Sequence, residues 1–166
     1  GVQAATYSTG VVKTDAGSEV SVPVVVTPDT DETVSINAYA MVFTYNPTLA
    51  TPVVAGQDIT GADCYGTVGT SFGTDNSVFV SDIITVSDTE AKVAIAWAGS
   101  EPISLSEAAD LADVTFDVAD TATGTVPLTI TTASVATDAN SVAEVTDISS
   151  GEIDLDTKSF LRGDAD

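Results

Sequence analysis

The sequence contains no histidine, a single cysteine and only four basic residues. Without an imidazole, the chain has no Ser-His or Cys-His pair for nucleophilic catalysis and no imidazole ligand for a metal ion. Cys64 cannot form an internal disulfide, and its glycine-rich surroundings favour an incidental buried or half-buried thiol. No apolar run approaches the roughly 20 residues that a membrane helix needs, so we expect no membrane insertion.

Positive charge is scarce, because 25 Asp and Glu residues stand against four Lys and Arg residues, giving a net charge of −21. Phosphate backbones would be repelled at long range, so nucleic acid is not an expected partner. This bias is typical of proteins that stay soluble outside the cell or in high salt. It therefore fits either an acidic secreted module or a protein from a halophilic organism. We predict a secreted or cell-surface protein; its start at Gly1 looks arbitrary, which leaves room for a leader removed upstream.

Aromatic residues make up only 6% of the chain, and no long segment has a helical period. Valine, threonine and alanine dominate, and turn signals recur about every 8 to 15 residues. We therefore predict an all-β fold, a nine-stranded β-sandwich with jelly-roll topology. The predicted strands are 4–12, 19–27, 36–45, 51–55, 77–87, 91–98, 111–118, 126–135 and 148–155.

The third predicted strand is apolar on both alternating faces from Ile36 to Tyr45 and ends at Asn46-Pro47. One face of such a strand packs on the core, so its other face is either covered or kept for a partner. The sixth predicted strand separates small from large side chains, with Ala94, Ala96 and Ala98 on the face opposite Trp97. The long loop 56–76 is either functional or ordered by its own packing.

Four ordered motifs carry a family resemblance: VSVPVVV at 20–26, AMVFTYNPTL at 40–49, LADVTFDV at 111–118 and GEIDL at 151–155. Together they resemble the cohesin modules of cellulosome scaffoldins and of non-cellulosomal proteins. The resemblance spans about residues 9–155. It implies a non-catalytic module that binds a dockerin and so anchors or assembles secreted or cell-surface multi-modular proteins. We predict a cohesin-like domain at 1–155 and a linker with a truncated dockerin start at 156–166.

The tail ends in Gly163-Asp-Ala-Asp166, which is similar to the opening of a dockerin calcium loop. Asp164 and Asp166 would then be metal ligands, but only if a full loop follows, because calcium takes six to eight oxygens. The acidic loop containing Asp29, Asp31 and Glu32 is a second place where calcium is possible. No cofactor is required under this reading.

In the cohesin family the partner packs across the third, fifth and sixth strands. Carried over by position, the third strand would present Ala38, Ala40 and Val42 outward, with its aromatic residues in the core. The sixth strand would present its large side chains outward. The resemblance thus implies the partner-binding residues Ala38, Ala40, Val42, Val93, Ile95, Trp97, Gly99 and Ser100. The commonest cellulosomal cohesins have polar or acidic residues at several of these positions, so we expect a more apolar contact in this chain. The resemblance does not identify which dockerin binds.

Trp97 is the key residue of this predicted surface, because tryptophan is enriched among binding hot spots. An uncovered apolar patch on so acidic a protein would invite aggregation unless a partner used it. We therefore predict that Trp97→Ala leaves the fold intact and weakens partner binding by about 2 kcal/mol or more. The separation of small from large side chains leaves open the alternative that Trp97 lies in the core.

Three other functions are alternatives to dockerin binding. A carbohydrate-binding module would stack sugars on exposed aromatics, for which Trp97, Tyr65 and Tyr7 are the candidates. A structural repeat of a surface-layer or adhesion protein would occur in tandem copies without a dockerin partner. Paired carboxylates such as Asp110 with Asp113 are the chemistry of glycosidases, but the chain is short and shows no cleft, so we expect no enzyme.

Overall fold

The computed structural model describes residues 4–138 and 140–155, and every regular element in this part of the chain is a β-strand. The strands are β1 (Ala5–Thr9), β2 (Val11–Lys13), β3 (Glu19–Pro28), β4 (Val34–Tyr45), β5 (Ala50–Pro52), β6 (Gly56–Gln57), β7 (Asp63–Cys64), β8 (Thr67–Val68), β9 (Ser77–Thr85), β10 (Ala91–Leu105), β11 (Ala109–Val118), β12 (Thr125–Asp138), β13 (Ser141–Glu144), β14 (Ile148–Ser149) and β15 (Gly151–Asp154).

The strands form two sheets that pack face to face. One, which we call the β3 sheet, has the order β14-β1-β3-β11-β5, with β8 also paired to β11. The other, the β4 sheet, has the order β2-β15-β12-β4-β10-β9, with β13 also paired to β12. A separate ladder joins β6 to β7. The predicted all-β sandwich is confirmed, and within the described residues there is no helix long and apolar enough to cross a membrane.

All nine predicted strands are present, but the first and the last are each divided between the two sheets. The first becomes β1 and β2, and the last becomes β14 and β15. The two segments lie close together where each changes sheets: a Cβ on Gly151 would lie 2.1 Å from the carbonyl oxygen of Gly10, so only glycine fits there without a shift of the backbone. The Thr9 hydroxyl fixes this crossing: it accepts the Gly151 N–H at 2.7 Å and donates to the Leu128 carbonyl at 2.9 Å. The four remaining short strands, β6, β7, β8 and β13, lie within the predicted loop regions.

The hydrophobic core lies between the two sheets and follows the two-residue period of the strands. In β4 the buried residues are Val34, Ile36, Tyr39, Met41, Phe43 and Tyr45, and from Tyr39 onward they are the ones that the strand pattern predicts. In β10 the buried residues include Val93, Ile95 and Trp97, with exposed fractions of 0%, 2% and 3%. The outward placement predicted for these three residues is therefore wrong.

Candidate functional site

The outer face of the β4 sheet carries small side chains at its centre. Ala40 of β4 pairs with Ala96 of β10 on one side and with Ser134 of β12 on the other. The next rows of the same face place Ala38 beside Ala98, and Val42 beside Ala94. Because paired residues in an antiparallel sheet point to the same side, these side chains form one continuous surface. We call the set Ala38, Ala40, Val42, Ala94, Ala96 and Ala98 the alanine floor.

Trp97 lies beneath this floor, and its position follows from strand register. It pairs directly with Tyr39, so both rings enter the core. The two rings stack with centroids 5.9 Å apart, and Phe72 meets the Trp97 ring edge-on at 5.1 Å. Burial of this aromatic cluster is favourable for the fold but leaves the indole inaccessible to a partner. Ala38, Ala40 and Val42, by contrast, do lie on the outer face, and their binding role remains a prediction.

Gly99 and Ser100 lie where β10 becomes irregular. The register between β10 and β4 shifts between Ala98 and Ile103. A Cβ on Gly99 would lie 2.7 Å from Cη2 of Trp97, so the absence of a side chain lets the strand close over the indole. The Asn37 side-chain amide donates to the Gly99 carbonyl at 2.7 Å and holds this bulge. Gly99 therefore has a structural role here, whereas Ser100 is exposed at the end of the face.

Two walls convert the floor into a groove of about 800 Å³. On one side stand Val80 and Asp82 of β9 together with the loop that carries Asp58, Ala62, Asp63 and Tyr65. On the other side stand Val142 and Glu144 of the short strand β13. Val142 is 75% exposed, so a large apolar side chain is presented at this edge. The base of the groove is thus apolar along β4 and β10 and carries Thr132 and Ser134 along β12, and both rims are acidic.

The wall formed by residues 58–65 is held by its own hydrogen bonds. The Asp58 carboxylate accepts the Thr60 hydroxyl at 2.6 Å and the Thr60 N–H at 2.8 Å. These bonds lower the pKa of Asp58 and keep the carboxylate charged. The Ser81 hydroxyl accepts the Tyr65 N–H at 2.5 Å, which fixes the loop to β9. The conformation of the wall is therefore supported by hydrogen bonds within the chain.

The remainder of the 56–76 loop closes one end of the core. Phe72 inserts against Tyr39 and Trp97, and Cys64 is buried, as predicted for an incidental thiol. The Ser81 hydroxyl donates to the Cys64 sulfur at 3.3 Å. Ile59 of the same loop does not pack against the core and is 78% exposed. Packing of residues 64–72 thus supports the exposed part of the wall, residues 58–63.

The other residues singled out in the sequence lie away from the groove. Asp110 and Asp113 form a hydrogen-bonded carboxyl pair on β11 of the β3 sheet. Burial first, and the neighbouring Asp110 carboxyl second, raise the pKa of Asp113 to about 6. Residues 4–138 and 140–155 contain no group of three or more Asp, Glu, Cys or His side chains that could hold a metal ion. The predicted ligands Asp164 and Asp166, and the whole predicted linker 156–166, lie outside the described residues.

The outer face of β10 and the two walls were missed by sequence reasoning. One signal was available for β10: Lys92 has the same parity as Ala94, Ala96 and Ala98. A lysine is almost never buried without a partner, so its face is the solvent face. No comparable sequence signal connects Asp58, Asp82 and Glu144, because they come from three separate segments.

Comparisons with known proteins agree with this architecture. A family model described as Cohesin domain matches residues 5–155. The seventh ScaB type I cohesin of Pseudobacteroides cellulosolvens is similar at 18% identity, with 91% of each chain covered and a TM-score of 0.63. The non-cellulosomal cohesin of the archaeon Archaeoglobus fulgidus is 19% identical over 96% of each chain, with a TM-score of 0.61.

A third similar structure is a Coh-OlpC–Doc435 complex from Clostridium thermocellum, described as a type I cohesin–dockerin complex. It is 14% identical to this chain, covers 92% of it and 94% of the matched chain, and has a TM-score of 0.66. Among curated proteins, no sequence matches. At these identities the solved structures establish the shared jelly-roll fold.

Proposed function

This chain belongs to the cohesin family, and on that premise we propose that it binds a dockerin through the groove on the outer face of the β4 sheet. Cohesins are non-catalytic interaction modules, and this role needs no cofactor. Several similar structures are complexes of a cohesin with a dockerin, including the Acetivibrio cellulolyticus scaffoldin B cohesin with the Cel5 dockerin. Such binding would assemble multi-modular proteins.

The alanine floor is the observation that carries the proposal. It is a continuous apolar surface on a chain with a net charge of −21. Exposed apolar patches of this kind mark protein–protein contacts, because leaving them in water costs free energy and favours aggregation. The opposite sheet gives a contrast, since the outer face of β11 carries Asp113, Thr115 and Asp117. The binding residues we propose are therefore the floor and the side chains that border it.

Carbohydrate binding is less well supported by the same geometry. Modules that bind polysaccharides stack sugar rings on exposed aromatic side chains. Of the three predicted candidates, Trp97 and Tyr7 are buried, with exposed fractions of 3% and 1%. Tyr65 is half-buried and stands in the groove wall without an aromatic neighbour on the floor. A single ring does not provide the row that a sugar chain needs.

Calorimetry against a panel of dockerins tests the proposal. The panel comprises the dockerins of the similar complexes, each measured with and without calcium, with cellulose as a parallel ligand. For any dockerin that binds, Ala96→Asp should lower the affinity by at least about tenfold, because the substitution buries an unpaired charge in the contact. The matched control is Ala108→Asp at an exposed position between β10 and β11, which should leave binding unchanged.

Two outcomes would contradict the proposal. Cellulose binding without binding to any dockerin of the panel would assign the module to carbohydrate recognition. Dockerin binding that is insensitive to Ala96→Asp would place the contact on another surface. The variant's urea midpoint must match that of the unmodified protein, so that loss of binding cannot be confused with loss of fold.

We also propose that the protein acts outside the cell or at the cell surface. Its acidic composition and its membership of a family built into scaffoldins support this location. Immunodetection in culture supernatant and in cell-surface fractions of the source organism tests it. The dockerin-like start at Gly163–Asp166 remains a sequence prediction, which the downstream coding sequence would test.

A further inference from the structure

We propose that the Asp110–Asp113 carboxyl pair is a proton-dependent latch, which holds residues 66–72 against the core while the pair shares a proton and loosens them when both carboxyls are charged. We call residues 66–72 the β8 segment. The latch lies on the outer face of the β3 sheet, on the side of the sandwich opposite the groove. It needs no binding partner, so it is independent of the proposed function.

The carboxyl pair lies at an irregular point of β11. The register between β11 and β3 shifts between Asp110 and Ala112, so that β11 carries one extra residue there. Such a bulge places Asp110 and Asp113, three residues apart, on the same outer face, where simple alternation would separate them. Their carboxyl groups are hydrogen-bonded to each other. Because a hydrogen bond between two carboxyls requires a proton, the pair is intact only while one of them is protonated.

The bulge holds the β8 segment through the backbone. The Gly69 N–H donates to the Leu111 carbonyl at 2.8 Å, and the Tyr39 hydroxyl donates to the same oxygen from the core side. Only glycine fits at position 69, because a Cβ there would lie 1.7 Å from the Asp110 carbonyl oxygen. The Phe72 N–H donates to the Gly69 carbonyl at 3.0 Å, and its ring meets Tyr39 edge-on at 5.4 Å. A change at the bulge is therefore transmitted to Phe72 in the core.

Asp113 lies between a long strand and a short one. It pairs with Pro23 of β3 on one side and with Thr67 of β8 on the other. The ten-residue β3 is held between β1 and β11, whereas β8 has only two residues. Burial first, and the Asp110 carboxyl second, raise the pKa of Asp113 to about 6. Since β3 is fixed in the middle of the sheet, water reaches a charged Asp113 most easily when β8 moves away.

The neighbouring elements supply no compensating positive charge. The residues paired with the two carboxyls across the sheet are uncharged, and they are Val25, Pro23 and Thr67. Tyr39 stays neutral, because burial and the Asp113 charge both raise its pKa. Farther along the outer face, Asp117 is paired with Glu19, so the next charges are also negative. Ionisation of Asp113 thus places two negative charges side by side, and opening of the β8 segment relieves both their repulsion and the burial of Asp113.

The direction of the pH effect follows from the two states of Asp113. In the open segment its pKa returns towards the ordinary 3.8, whereas in the closed segment it is about 6. The closed form therefore binds the proton more tightly, and opening becomes more favourable as the pH rises through this range. These two values correspond to a rise of about ninefold in the opening constant between pH 5 and pH 7. Solvent screening of the half-buried pair lowers the expected rise to between about three- and ninefold.

Native-state hydrogen exchange followed by NMR measures this opening. The protection factors of the Gly69 and Phe72 amides, corrected for the intrinsic effect of pH on exchange, should fall by this factor from pH 5 to pH 7. The Leu49 N–H, which donates to the Asn46 carbonyl at 3.0 Å in the turn after β4, should keep its protection factor. Low concentrations of urea should leave exchange at Gly69 unchanged, because a local opening exposes little surface.

Isosteric variants identify the carboxyls that carry the effect. Asp113→Asn should abolish the pH dependence of exchange at Gly69 and Phe72, because position 113 then no longer titrates. Asp110→Asn should reduce it, since this variant removes the partner charge and leaves the burial of Asp113. The matched control is Asp117→Asn, at an exposed position on the same face of β11, which should leave the pH dependence unchanged.

Three results would overturn the latch. The first is an unchanged protection factor at Gly69 and Phe72 between pH 5 and pH 7. The second is a fall that persists in Asp113→Asn or disappears in Asp117→Asn, because the proton would then be bound elsewhere. The third is an equal fall at Leu49, or a steep dependence on low urea, which would assign the effect to the whole domain. Calorimetry with dockerins is a separate measurement, so failure of either proposal leaves the other standing.

Discussion

Replacing Trp97 with alanine should destabilise the fold. The indole is 3% exposed and contacts Tyr39 and Phe72 through two ring pairs. Truncation of a buried tryptophan typically costs about 3 to 5 kcal/mol, which includes about 0.5 to 1.5 kcal/mol for each aromatic pair. The Trp97 indole N–H has no hydrogen-bond acceptor among the described residues, so its removal returns about 1 kcal/mol. We expect a net loss of about 3 kcal/mol from the free energy of unfolding.

Urea unfolding followed by far-ultraviolet circular dichroism measures this loss. The midpoint should fall while the slope of the transition stays unchanged. Trp97 is the only tryptophan, so its fluorescence in the unmodified protein gives an independent reading of burial. We expect blue-shifted emission and weak quenching by acrylamide, with both changing on unfolding. Trp97→Phe should cost much less than Trp97→Ala, because it keeps a ring in the cluster and removes the unpaired N–H.

The neighbouring position supplies the control. Ala96→Leu lies one residue away on the outward face of the same strand, and it should change stability by no more than about 0.5 kcal/mol. If Trp97→Ala kept its urea midpoint and instead lost partner binding, the assignment of faces on β10 would be reversed. If both substitutions were neutral, the packing of Phe72 and Tyr39 around the indole would be refuted.

Three further predictions follow from local packing. Gly99→Ala should lower stability by about 1 to 2 kcal/mol, because its Cβ would lie 2.7 Å from Cη2 of Trp97; an unchanged urea midpoint would contradict this. The pKa of Asp113 is raised from 3.8 to about 6, so the native state binds this proton more tightly and stability should fall as pH rises through 4 to 6. Asp113→Asn should remove this pH dependence of stability and raise the free energy of unfolding at pH 8 by about 1 kcal/mol, after allowance for solvent screening. The control Asp117→Asn, at an exposed position, should do neither. Cys64 should react slowly with a thiol reagent until urea unfolds the domain, and a fast native reaction would refute its burial.

The sequence alone was sufficient for the fold class and for the face of β4. The alternation of Tyr39, Met41, Phe43 and Tyr45 with smaller residues places the larger set in the core, because burying large apolar side chains stabilises most. The absence of histidine argued against imidazole-based catalysis and metal binding, and the excess of acidic residues argued against nucleic acid as a partner. Such properties depend on composition or on neighbours a few residues apart, which the sequence contains in full.

The outward face of β10 depended on the tertiary structure. Both alternating sets of this strand are apolar, and a shift of one residue in register exchanges them. Pairing of Trp97 with Tyr39 fixes the choice, and Lys92 was the one local indication of it. The walls depended on topology still more strongly, since residues 58–65, β9 and β13 are distant in sequence and meet only because β10 and β12 flank β4. Long-range strand pairing created the groove, and long-range pairing is the information that local sequence patterns lack.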